Sequence, residues 1–289
     1  MHDALTTELL DALAEVTENP NPHPAIVETL ELEWTTDAFT ELFDFDLPPY
    51  ASYYLTVGPV LGGEPVTYLR DLLASYLPRQ IQPAQPDTLA FLLRLVAALT
   101  RSGNLDRARA IVYESLRPWM GTYARAVQTY APPGLKRIGD LLLAVDALWT
   151  NETPPPASLP YLLRTAPEVR YPPTALDATT ETNALLDYLL SPVASGLILP
   201  RCALITYARH NSLGIRPGGR RFSFESLLTA SPATTLDLVG EVARTQQRWY
   251  VDTTDPIADW WATKLTQTLT IVADLATDIQ EPAAPTPHT

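Results

Sequence analysis

The sequence predicts an all-α fold, a multi-helix bundle, on three observations. Apolar residues recur at i, i+3, i+4 and i+7 through almost the whole chain. Period-two alternation bounded by turn residues is hard to find. The 28 prolines, against 12 glycines, fall between the periodic stretches and act as punctuation rather than marking one flexible region.

Each helix follows from that pattern in turn. The first is expected over about Asp3–Glu18, with Leu5, Leu9, Leu10, Leu13 and Val16 as its buried stripe and Asn19-Pro20-Asn21-Pro22 as its stop. The second is expected over about Pro24–Phe43, with Ile26, Leu30, Trp34, Phe39, Leu42 and Phe43 toward the core. A turn should follow at Asp44–Tyr50, where Pro48-Pro49 forces extended backbone. Further helices are expected over Pro65–Tyr76, Asp87–Ser102, Leu105–Tyr130 and Leu135–Trp149. Asp87, after Pro86 and ahead of an apolar run, is placed to cap its own helix by accepting a backbone N–H. Gly103-Asn104 closes that helix and Asp106 opens the next.

Residues 151–175 carry seven prolines and no helical stripe, which predicts a boundary or a long connection. Beyond it, helices are expected over Ala178–Ser191, Pro200–Leu213, Ser223–Thr229, Thr234–Tyr250 and Ile257–Ile279. The predicted organisation is a helical domain over residues 1–150, the proline-rich connection 151–175, a C-terminal bundle segment 176–280 and a mobile tail 281–289.

Charge is unevenly placed. The formal net charge is -13, and residues 1–69 hold 13 carboxylates with no Lys or Arg, while residues 70–289 balance to zero. Such a surface repels phosphate backbones and anionic lipid and attracts cationic peptides, so nucleic-acid and membrane-surface binding are disfavoured. The start Met1-His2-Asp3-Ala4-Leu5 lacks the basic and apolar regions of a secretory signal, and no run of about 18 apolar residues occurs. One cysteine, Cys202, excludes an intramolecular disulfide framework. A cytoplasmic protein without direct membrane insertion is expected.

Catalytic chemistry finds little support. His2, His23, His210 and His288 are scattered without ligand spacing, so no metal and no cofactor are expected. Cys202 lies on an apolar stripe and reads as an inert core thiol. Ser195 lacks the flanking glycine of a nucleophile elbow. The pairs Glu31/Glu33 and Asp44/Asp46 come without an acid-base context, and residues two apart on a helix face different ways. Glu28, Glu31, Glu33, Asp37 and Glu41 read either as a solvated acidic face or as a binding face for a cationic ligand. Arg216, Arg220 and Arg221 around Pro217-Gly218-Gly219 read as a solvated interhelical loop or an anion site, and do not match a phosphate loop. An enzyme is not expected.

The densest unusual stretch runs from Leu42 to Tyr54 and joins aromatics, carboxylates and two prolines. It offers flat apolar surface beside negative charge, suited to a peptide carrying Leu or Phe together with Arg; the alternative is a core-filling loop. Glu41-Leu42-Phe43, then Pro48-Pro49-Tyr50-Ala51-Ser52-Tyr53-Tyr54, then Leu61-Gly62-Gly63-Glu64 and Leu69-Arg70 resemble the TorD/DmsD/NarJ family of redox-enzyme maturation chaperones. Gln85-Pro86-Asp87-Thr88-Leu89 is similar to that family's E-P-D-H segment, with Gln85 and Thr88 standing where the family has Glu and His. Leu116-Arg117-Pro118-Trp119 resembles its leucine–proline–tryptophan signature.

The resemblance covers about residues 30–130. It implies a TorD-like helical bundle and a cytoplasmic chaperone, monomeric or homodimeric, that binds an apo molybdoenzyme catalytic subunit or its twin-arginine signal peptide and holds it back until cofactor is inserted. The residues expected to meet the client peptide are Phe43, Asp44, Asp46, Pro48, Pro49, Tyr50, Ser52, Tyr53, Gln85, Pro86, Asp87 and Thr88. A different reading is a helical-repeat scaffold, since Gly103–Ala110 resembles half of a tetratricopeptide unit, but no second copy lies about 34 residues to either side.

Overall fold

The computed structural model describes residues 2–57, 61–75, 83–152, 158–166, 179–215, 218–251 and 254–280. Much of the expected proline-rich connection, the tail 281–289, and Arg216 with Pro217 lie outside these residues. Among the described residues the protein is all-α, with sixteen α-helices and no strand. The chain divides into two compact units: Met1–Ala166 with Asp255–Ile257, and Pro167–Thr254 with Ala258–Thr289.

In the first unit, α1 (His2–Glu18) packs along α6 (Leu89–Arg101). Leu10, Leu13, Ala14 and Val16 of α1 are buried, while Leu9 is only half-buried. Helix α6 buries Leu89, Leu92, Leu93, Val96 and Leu99 among others, so little of its circumference meets water. Its exposed residues bind back to α1: Arg94 pairs with Glu15 at 3.5 Å and with Glu18, and Arg101 pairs with Asp11. A Schellman closure ends α6, with Gly103 at φ 76° and Asn104 N–H donating to the Leu99 carbonyl at 2.9 Å.

The expected helix over Pro24–Phe43 is broken. Helix α2 (Pro24–Thr29) stops where Glu31 takes a left-handed φ of 57°, and Glu33 N–H donates instead to Gly134 O at 3.1 Å. Thr35 then caps α3 (Thr36–Phe39), its hydroxyl accepting from Ala38 N–H at 3.1 Å. Helix α3 runs on as a π-helical turn over Thr40–Asp46, so the expected turn at Asp44 begins only after Asp46. Two short helices follow, α4 (Ala51–Leu55), which the periodicity did not reveal, and α5 (Glu64–Ala74).

The expected helix over Leu105–Tyr130 is likewise divided. Helix α7 (Leu105–Ile111) widens into a π-turn over Val112–Leu116, and α8 (Met120–Tyr130) starts afresh after Pro118, whose missing N–H cannot continue the ladder. Helix α9 (Lys136–Glu152) returns along α8 at close range: a Cβ on Gly139 would lie 2.5 Å from the Ala124 carbonyl oxygen. The short α10 (Tyr161–Arg164) completes this unit's helices.

The second unit is built from α11 (Thr179–Leu189), α12 (Pro192–Ser195), α13 (Arg201–His210), α14 (Arg220–Ala230), α15 (Pro232–Gln247) and most of α16 (Pro256–Gln280). Its core includes Leu186, Leu189, Leu197, Leu199, Phe224, Leu227, Val239 and Trp261. Between α12 and α13 the buried extended residues Leu197–Leu199 are held by one side chain. Gln246 accepts from Ile198 N–H at 2.9 Å and donates to Ile198 O at 2.5 Å, replacing a strand neighbour.

Candidate functional site

The two segments expected to form the site are 35 residues apart in sequence and adjacent in space. Tyr50 and Thr88 form an isolated antiparallel bridge, with Leu89 N–H donating to Pro49 O and Ala51 N–H to Asp87 O, both at 2.9 Å. Pro48 and Pro49 supply the extended backbone that this pairing needs.

Asp87 does not cap its own helix, contrary to expectation. The helix begins one residue later, and Thr88 is the cap, its hydroxyl accepting from Phe91 N–H at 3.2 Å. The Asp87 carboxylate turns the other way and accepts from Ser52 N–H at 3.0 Å, at the start of α4. One acidic residue thus satisfies the first two backbone donors of a helix to which it is not joined, through its carbonyl and its carboxylate.

The third motif meets the first. Trp119 stacks on Tyr54 with centroids 5.3 Å apart and planes at 12°, and Tyr123 packs edge-on to Tyr54 at 5.5 Å. Trp119 Nε1–H donates to Ser115 O at 2.9 Å. Arg117 of the same motif is buried, its Nη2 2.6 Å from Asp255 Oδ2 and its Nε 3.6 Å from Asp146 Oδ1. Burial pushes the Asp146 carboxyl above its ordinary range; Arg117 pulls it down and Asp255 adds to the rise.

Burial sorts the expected site residues. Phe43, Asp46, Pro49, Ser52, Tyr53, Pro86 and Asp87 are buried. Phe43 stands edge-on to Phe39 at 5.1 Å, which in turn meets Trp34 at 5.7 Å. These seven side chains lie beneath the surface in this structure. Asp44 and Gln85 are exposed, and Pro48, Tyr50 and Thr88 are half-exposed. Phe45, absent from the expected set, is 53% exposed, the most open aromatic ring among the described large apolar residues. Once the chain through Thr40–Asp46 is helical, Phe43 and Phe45 must face apart; that spacing was the available signal.

The surface is acidic. Burial raises the Tyr50 hydroxyl pKa first, and the charges of Asp87, Asp44 and Glu18 raise it further. The charge available is less than the sequence total, because Asp11, Glu15 and Glu18 are paired with α6 arginines and Glu31 lies 3.6 Å from Arg137. Glu28, Glu33, Asp37, Glu41 and Asp44 are exposed with no salt bridge to a described residue, and they lead along the chain to Phe45 and Tyr50. Among the described residues no group of three His, Cys, Asp or Glu side chains could hold a metal ion.

All three motifs fall within one comparison. Residues 3–125 match the family described as nitrate reductase delta subunit. This part of the chain is similar to that family. The nitrate reductase delta family implies a chaperone of molybdoenzyme maturation, partnered with a molybdoenzyme catalytic subunit. No curated protein matches the chain. The delta-family segment ends within α8, so α9, α10 and the whole second unit lie outside it. No helix among the described residues is long and apolar enough to cross a membrane.

Proposed function

We propose that the protein is a cytoplasmic chaperone that binds the twin-arginine signal peptide of an apo molybdoenzyme and delays its export until cofactor insertion is complete. The observation that carries this reading is the pairing of the Pro-Pro-Tyr and Gln-Pro-Asp-Thr segments, which holds the half-exposed Tyr50 within reach of the charge of Asp44, the chain neighbour of the exposed Phe45. Asp44, Pro48, Tyr50, Gln85 and Thr88 are the contact residues, with Phe45 added. Phe43, Asp46, Pro49, Ser52, Tyr53, Pro86 and Asp87 hold them from below.

A twin-arginine peptide presents two guanidiniums followed by an apolar run. Exposed ion pairs contribute about 0–1 kcal/mol each, so apolar burial at about 25 cal/mol per Å2 supplies most of the affinity while charge steers the encounter. Calorimetric titration with a synthetic twin-arginine signal peptide tests this. Binding is expected at micromolar or tighter Kd and weakens with salt. Phe45→Ala is expected to weaken it about tenfold, as burying an aromatic ring is worth more than one rim charge. Asp44→Asn should lower it about threefold and flatten the salt dependence. Unchanged affinity in both variants would remove this surface from recognition.

A further inference from the structure

Elsewhere in the first unit, residues 158–166 lie across α5 and the π-turn after α7 like a bound peptide. Glu114 Oε2 accepts from Tyr161 N–H at 2.8 Å and from the Tyr68 hydroxyl at 3.0 Å. The Tyr68 and Tyr161 rings stack with centroids 4.5 Å apart and planes at 15°. The Tyr113 hydroxyl donates to Ser158 O at the segment's start. Leu162 and Leu163 are 4% and 3% exposed, whereas Arg164 is on the surface. Its charge opposes the rise that burial and Glu114 impose on the Tyr68 hydroxyl.

This segment carries an apolar pair next to an arginine, the combination expected of the client peptide. The geometry points to an internal pseudo-client: residues 158–166 occupy a groove of the first unit, lined by Tyr68, Tyr113 and Glu114, that also takes a basic, apolar client peptide, and the chain restrains its own client binding until the segment is displaced. The idea rests on the client reading above and adds a second recognition groove to it. The segment is covalently continuous with the unit it packs on, and proline flanks it in sequence at Pro154–Pro156 and Pro167. Tethering holds even a weak ligand in place through a high effective concentration, while leaving it displaceable by a free competitor.

The test uses the full chain and two labelled probes, a synthetic peptide with the sequence of residues 158–166 and a twin-arginine signal peptide. In the release variant L162S/L163S, the segment peptide added in trans is expected to bind about tenfold tighter than to the unmodified protein. The twin-arginine peptide should gain about fivefold and be displaced by the segment peptide. Tyr161→Ala serves as a milder release variant if the double change unfolds the unit, with circular dichroism as the check. Glu114→Gln should weaken the segment peptide in either background. If the segment peptide fails to bind the release variants, there is no groove and the proposal falls. Binding of both probes without competition also overturns it, while leaving the Pro-Pro-Tyr surface standing. If the segment peptide binds but the twin-arginine peptide binds no variant at all, it is the client reading that fails.

Discussion

The two units solve the same problem, holding irregular buried backbone in place, with different chemistry. In the first, the ties across distant segments each use a charged side chain: Asp87 accepts from the start of α4, Glu114 accepts from Tyr161 and Tyr68, and Arg117 forms ion pairs with Asp146 and Asp255. In the second, the ties in the core are neutral, and the charged ones lie nearer the surface, where Arg220 Nη2 donates to Leu190 O at 2.9 Å and Arg221 pairs with Asp187. Gln246 brackets Ile198, the Thr268 hydroxyl donates to Ser195 O at 2.7 Å, and Tyr188 and Thr268 share a hydrogen bond at 2.6 Å. A neutral tie is insensitive to pH and salt and costs less when stretched. An ionic one is costly to desolvate and leaves a larger deficit when half of it is removed. The first unit, which also carries the family motifs, is therefore expected to respond more sharply to single changes of charge.

The largest effect should come from Arg117→Ala, which strands two carboxylates. A loss of about 3–5 kcal/mol is expected in the first unit, read as faster hydrogen exchange in α8 and α9. Exchange that is equally fast in both units would erase the contrast.

A smaller loss, about 3 kcal/mol, is expected for Gln246→Ala, because Ile198 N–H and C=O are left buried and unpaired. That deficit should be constant between pH 5 and pH 8 in urea unfolding followed by exchange in the second unit. A pH-dependent deficit would mean that the neutral assignment is mistaken.

The smallest effect concerns the sign of a titration. The Asp146 carboxyl has a folded pKa raised above its ordinary 3.8. Its contribution to stability is therefore fully present below the ordinary value and is lost as pH rises through the raised folded value. Asp146→Asn should flatten the stability profile of the first unit across that window. A variant whose profile keeps the same slope there assigns the titration to another group.

The sequence was informative wherever structure is local. Periodicity located most helices, and the motifs named the segments that meet. Other features depend on partners that no window of sequence contains. Asp87 finds Ser52 35 residues away, and Arg117 finds Asp255 138 residues away. Helix breaks were missed for a related reason. The apolar spacing through Pro24–Phe43 is compatible with one helix, and what interrupts it is a backbone bond from Glu33 to Gly134 that exists only in the folded chain. The same limit applied to the candidate surface, where burial, not residue type, separates Phe43 from Phe45.

The π-turn at Thr40–Asp46 makes the aim of that surface a matter of chain length as much as of residue identity. A π-turn accommodates about one extra residue in a helix. One residue of α-helix corresponds to about 100° of rotation. Deleting a single residue between Thr40 and Phe43 would let the segment relax to ordinary α-helix with the ring of Phe45 close to its present bearing, whereas one further insertion would swing the ring by about 100° with every side chain of the candidate surface chemically intact. In this segment the sign of a length change decides whether the surface keeps its aim.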